Sequence, residues 1–127
     1  NFETEQCSII CHGGLAESVL DAVHKIYLDK EISCRVILLS KLNPLDNNQL
    51  KASLARNGPI ITIEESSKLF GLGSEIGAIL NEDQELKKRE FTRISSKDEI
   101  IPSSMEKEKK VLISTEIILE NLNRIFQ

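Results

Sequence analysis

The feature that most constrains this chain is its regular alternation of short apolar runs with longer segments of helical spacing. Cys7–Cys11 (CSIIC) is a compact apolar run followed by the turn His12-Gly13-Gly14. From Leu15 to Asp29 the apolar residues Leu15, Val19, Ala22, Val23 and Ile26 recur three and four apart. That spacing gathers them into one stripe of a helix. Cys34–Leu39 (CRVILL) is almost continuously apolar after Arg35, as expected of a strand covered on both faces. Strand and helix signals in alternation predict a largely parallel sheet with helices packed on both sides, a three-layer α/β/α sandwich.

The next helix has a strong start signal in Leu45-Asp46-Asn47-Asn48-Gln49-Leu50. Asp46 can cap the first turn while Gln49 reaches back, and Leu45 and Leu50 bracket the cap as a staple. Pro44 blocks extension backwards. The helix is expected to reach about Arg56, with Asn57-Gly58 as its stop. Pro59–Glu64 (PIITIE) reads as a third strand and Ser66–Phe70 as a loop. Gly71-Leu72-Gly73-Ser74 leads into a helix to Leu80, whose Gly73, Gly77 and Ala78 permit close packing. Glu90–Ile94 is a fourth, more exposed strand, and Val111–Ile113 is short and ambiguous. Ser114 or Thr115 caps a last helix carrying Ile117, Ile118, Leu119, Leu122, Ile125 and Phe126.

Composition narrows the function classes. At 127 residues the chain suits one domain with a real core. Aromatic residues are 4% of the chain and Trp is absent, a poor basis for stacking on nucleic-acid bases. The net charge of −4 repels a polyanion overall. The densest basic cluster, Lys87-Lys88-Arg89, is flanked by Glu85 and Glu90 and reads as a solvated face. No apolar run is long enough to span a bilayer. Cys7, Cys11 and Cys34, an odd number within strand-like runs, suggest free thiols of a reducing, cytoplasmic compartment and make a poor zinc set. The start at Asn1 rather than Met reads as a trimmed or processed fragment.

Candidate chemistry is sparse. Gly71-Leu72-Gly73, with Gly77 following, has the spacing GxGxxxG rather than GxGxxG. Tight helix-to-sheet packing accounts for it more simply than a nucleotide phosphate. His12, with Gly13 and Gly14, stands at the strand end where open α/β sheets usually bind ligands. His24 lies off the apolar stripe and is expected to face solvent. Glu64 and Glu65, adjacent on a strand, point to opposite faces and so form no acid/base pair. No nucleophile stands beside a base at a persuasive spacing, and GxSxG, P-loop and HExxH motifs are missing. The residues alone leave two classes open: a non-catalytic assembly domain, or a nucleotide- or small-molecule-binding regulatory module.

Three stretches in order, SIICHGGLAESVLDAV, SCRVILLSKLNPLD and GPIITIEESSKLFGLGSEIGAIL, are similar to the C-terminal domain of transketolase and of the beta subunits of pyruvate and branched-chain 2-oxoacid dehydrogenases. Ile101-Pro102-Ser103-Ser104 also looks like those beta subunits. The chain departs from the pattern in Phe70-Gly71-Leu72-Gly73, in Leu112-Ile113-Ser114, and in the Lys/Glu-rich segment 104–111. The resemblance implies a mainly parallel, five-stranded sheet and a role in assembly: contact with the remainder of the parent enzyme, with a dimer mate and, in the dehydrogenase branch, with an acyltransferase core. It implies thiamin diphosphate and Mg2+ in the parent, held by a Gly-Asp-Gly…Asn motif that this chain lacks, so no catalytic, cofactor or metal residue carries over. The positions it would turn toward the rest of the enzyme are His12, Gly13, Gly14, Glu64, Glu65, Phe70, Gly71 and Gly73.

Overall fold

The computed structural model describes residues 4–39, 47–65, 71–95 and 114–127. Four strands, β1 (Cys7–His12), β2 (Cys34–Leu39), β3 (Ile60–Glu64) and β4 (Phe91–Ser95), form one sheet in the order β2-β1-β3-β4. All three pairings are parallel. The helices are α1 (Ala16–Lys30), α2 (Asn47–Ser53), α3 (Leu72–Glu82) and α4 (Thr115–Ile125). A fifth strand is not among the described residues. Val111–Ile113, the Pro44–Asp46 start signal, the 66–70 loop and the 104–111 segment also lie outside them.

The alternation of side chains along each strand divides the core in two. Cys7, Ile9 and Cys11 of β1, Ile61 and Ile63 of β3, and Ile94 of β4 face α1 and α4, where Val19, Ala22, Ile26, Ile118 and Leu122 complete one cluster. Ile10 and Ile60 face the other way, against Leu50 of α2, Leu54, and Leu72, Ile76 and Leu80 of α3. Ile9, Ile10, Ile61 and Ile63 are fully buried. These central strands are apolar on both faces because helices cover both, which gives the three layers anticipated from the sequence.

The element ends follow from local chemistry. The Ser114 side chain accepts the Ile117 N–H at 3.3 Å and caps α4. Gly13–Leu15 form a single 3-10 turn between β1 and α1. Helix α2 ends at Ser53, short of the expected Arg56. The next residues leave the helical path because Leu54 is taken into the core. The Ala55 N–H is then drawn to the buried Ser8 hydroxyl of β1 at 2.7 Å. Gly58 follows with φ of +94°, and a side chain there would strike the backbone of Gln6.

Arg89 corrects the reading of 87–89 as a solvated face. Lys87 and Lys88 are exposed. Arg89 instead turns inward and donates to the carbonyls of Gly58 at 2.8 Å and Ala55 at 3.0 Å. It ties the entry of β4 to the turn before β3, and burial lowers the pKa of its guanidinium.

Candidate functional site

In a parallel sheet, a cleft opens where successive connections leave a strand in opposite directions. Here that point lies between β1 and β3, because β2 flanks β1 on one side and β3 on the other. The C-terminal ends of these two strands carry His12 and Glu64. Two groupings of the candidate residues form there.

The first is an open cleft of about 220 Å3, lined by His12, Gly14, Leu15 and Glu65. His12 is half-buried and Glu65 exposed. A side chain added at Gly14 would meet open space, so the bare backbone there leaves the cleft mouth wide. The lining offers an imidazole and a carboxylate but no nucleophile. Among the described residues no cluster of three or more His, Cys, Asp or Glu side chains could hold a metal ion.

The second grouping is buried. Glu64 is fully inaccessible to solvent, whereas its neighbour Glu65 is on the surface. The two carboxylates do point apart. Glu64 Oε1 accepts the backbone N–H of Gly73, in the first turn of α3, at 2.9 Å. It also pairs with Arg93 Nη2 of β4 at 3.2 Å. Strand register sets this up: Thr62 stands opposite Arg93 and Glu64 opposite Ser95, so Thr62, Glu64 and Arg93 share the face beneath α3. A Cβ at Gly71 would collide with the Glu64 carboxylate, and one at Gly73 with Arg93, Glu64 and the Thr62 hydroxyl. Gly77, one turn on, lies against the ring of Phe91. The glycines thus let α3 descend onto a buried ion pair.

This geometry decides what the glycine turn can do. The N-terminus of a helix attracts anions through its free N–H groups. At α3 a carboxylate of the protein's own sheet takes that position. A diphosphate brought there would meet the negative charge of Glu64, and the described residues do not fit thiamin diphosphate or a nucleotide at this turn.

The structure therefore brings His12, Gly14 and Glu65 together in the open cleft, and Glu64, Gly71 and Gly73 in the buried pair. Gly13 is in the 3-10 turn, and Phe70 lies outside the described residues. His24 is exposed on α1, as expected. Sequence reasoning missed Arg93. Its nearest signal was the alternation of β4, which places Arg93 on the same face as Phe91, but the partner lies 29 residues away.

An open parallel sheet between two helical layers, with its first helix-leading glycine turn and its strand order, defines a three-layer α/β domain. The chain belongs to the transketolase C-terminal domain family, whose model matches residues 2–118. It is similar to the pyruvate dehydrogenase E1 component subunit beta of Cyanidium caldarium, at 29% identity over 122 residues, covering 94% of this chain and 37% of the relative. The Bacillus subtilis (strain 168) subunit is 26% identical over 126 residues, covering 98% of this chain and 38% of the relative. The mitochondrial subunit of Dictyostelium discoideum is 25% identical over 126 residues, with 98% and 35% covered. The chain thus spans little more than a third of the length of these curated relatives.

Proposed function

We propose that this chain is the assembly domain of a thiamin-diphosphate-dependent 2-oxoacid dehydrogenase beta subunit, and that it carries no catalytic group of its own. The observation that carries this reading is the Glu64–Arg93 pair. It fills the glycine turn from inside and turns that part of the sheet edge into packing rather than a phosphate cradle. The similarity to pyruvate dehydrogenase beta subunits supports the dehydrogenase branch over transketolase.

A contact surface is available on α1. Its inner stripe, Val19, Ala22 and Ile26, is buried. On the other side Leu20, Tyr27 and Leu28, at i, i+7 and i+8, are 49%, 53% and 67% exposed. A helix apolar on two sides has more to cover than its own core. The remainder of the parent subunit and its dimer mate are the partners this surface serves, in a cytoplasmic or matrix-type reducing compartment.

Titration calorimetry tests the division of labour. The purified chain is expected to give no saturable heat with thiamin diphosphate and Mg2+, or with ADP and Mg2+. In the complete gene product, Tyr27→Glu with Leu28→Glu is expected to weaken subunit association in sedimentation while leaving the far-ultraviolet spectrum unchanged. Saturable cofactor or nucleotide uptake by this chain, or association indifferent to both substitutions, overturns the reading.

A further inference from the structure

Two of the three cysteines meet across the sheet. Cys7 opens β1 and Cys34 opens β2, and the two are register partners in a parallel pair. Neighbouring strands run about 4.8 Å apart and register partners direct their side chains to the same face. That separation falls within the Cα spacing that a disulfide spans. Both side chains belong to the layer beneath α1 and α4, so the two thiols are neighbours on one face of the sheet. Cys11, two residues beyond Ile9 on the same face, stands opposite Leu38 and has no sulfur partner across the strands.

The two thiols are not equivalent. Cys7 is fully buried, whereas Cys34, the first residue of the edge strand β2, is partly exposed. The neighbouring Cys7 thiol holds the Cys34 thiol below its ordinary range, and Cys34 in turn, with burial, pushes Cys7 up. Glu5 opposes ionisation of both, and Arg89 favours it at Cys7. An accessible sulfur that ionises first, beside a buried one that resolves, is the division of roles that thiol–disulfide exchange requires.

We propose that Cys34 and Cys7 form a thiol–disulfide exchange site, in which a small-molecule disulfide of the glutathione class oxidises the pair to an intrachain bond between β1 and β2. The Cys34 thiolate attacks one sulfur of the reagent, forming a mixed disulfide and expelling one thiolate. Cys7 then gives its proton to solvent and attacks the Cys34 sulfur, expelling the second. The protein loses two electrons and two protons, and the reagent is reduced to two thiols. The product fastens the edge strand to the central strand and needs no movement of Cys11. This site is independent of the assembly role.

The test is equilibration of the purified chain in mixtures of oxidised and reduced glutathione, followed by thiol counting and peptide mapping without reduction. The expected result is loss of two thiols, a crosslink between the Cys7 and Cys34 peptides, and a free Cys11. Cys7→Ala is expected to trap a glutathione adduct on Cys34, which should react about tenfold faster than Cys11. Cys34→Ala is expected to leave Cys7 unmodified. Three free thiols in oxidised glutathione, a crosslink through Cys11, or a bond between two chains overturns the proposal. Should either variant fail to fold, thiol counting and mapping on the unsubstituted chain still decide the matter.

Discussion

The carboxylate of Glu64, at the end of β3, accepts the backbone N–H of Gly73 in the first turn of α3 while holding Arg93 of β4 through the same oxygen. One atom thus joins two strands and a helix. The arrangement needs a long acidic side chain at 64 and nothing beyond a hydrogen at 73.

Gly73→Ala should therefore destabilise the chain by more than a helix-propensity argument allows. Alanine is the better helix former by about 1 kcal/mol. The added methyl would nevertheless strike Arg93, Glu64 and Thr62, and overpacking of this kind costs about 1–3 kcal/mol. Urea denaturation should show a lower midpoint. A raised midpoint would show that α3 can lift off the pair at no cost.

Arg93→Met takes the guanidinium away from a buried carboxylate. Breaking a buried ion pair from one side costs about 3–5 kcal/mol, and the lower end applies because Arg93 is 23% exposed. Adding Glu64→Gln to Arg93→Met should recover part of the loss, since the amide oxygen still accepts from Gly73. Equilibrium unfolding of the two variants checks this, and equal stabilities would argue against charge as the cause.

Arg89→Ala should cost about 2 kcal/mol. It removes two charge-assisted bonds to the carbonyls of Gly58, which is half-buried, and Ala55, which is buried. Hydrogen exchange is the informative measurement. The loss of protection should concentrate at the starts of β3 and β4 rather than spread over α1.

Asp83 gives the acid limb a defined sign. The N–H groups of Leu86 and Glu85, with Lys51, hold its carboxyl below the ordinary value. The unfolded chain takes up that proton first as pH falls, so this contribution is complete above about pH 4 and disappears as pH drops through the folded value. Asp83→Asn should flatten the stability profile in that window and leave the profile at neutral pH nearly parallel to the parent's.

Cys11 contributes to the alkaline limb, as Cys7 does. Burial pushes its thiol up to about 11. The folded chain keeps this proton after the unfolded chain has released it, so stability should fall between about pH 9 and pH 11. Cys11→Ala should make that slope shallower, leaving the share that comes from Cys7, measured by thermal unfolding against pH.

Much of this architecture was legible because it is local. The bounds of β2 fell where the apolar run CRVILL begins and ends, α1 followed its apolar stripe, and Ser114, one of the two caps the sequence offered beside Thr115, caps the last helix. What stayed hidden depends on strand register. Arg89 looked solvated because its acceptors at Ala55 and Gly58 lie 34 and 31 residues upstream. Glu64 showed as one of two acidic neighbours, but its partner followed only from the pairing of Thr62 with Arg93. Likewise, α2 looked three residues longer because nothing nearby announces that the Ser8 hydroxyl captures the Ala55 N–H. For the open cleft, the sequence named His12 and Glu65 individually; strand order placed them side by side.

Strand β1 lies inside the sheet, with β2 on one flank and β3 on the other. No backbone ladder joins β2 to β3, so trimming into Cys7–His12 would remove the strand that links them. The isoleucines that β1 had covered on β3 would then be exposed. The continuity of the sheet thus rests on Cys7–His12, the strand that joins β2 to β3.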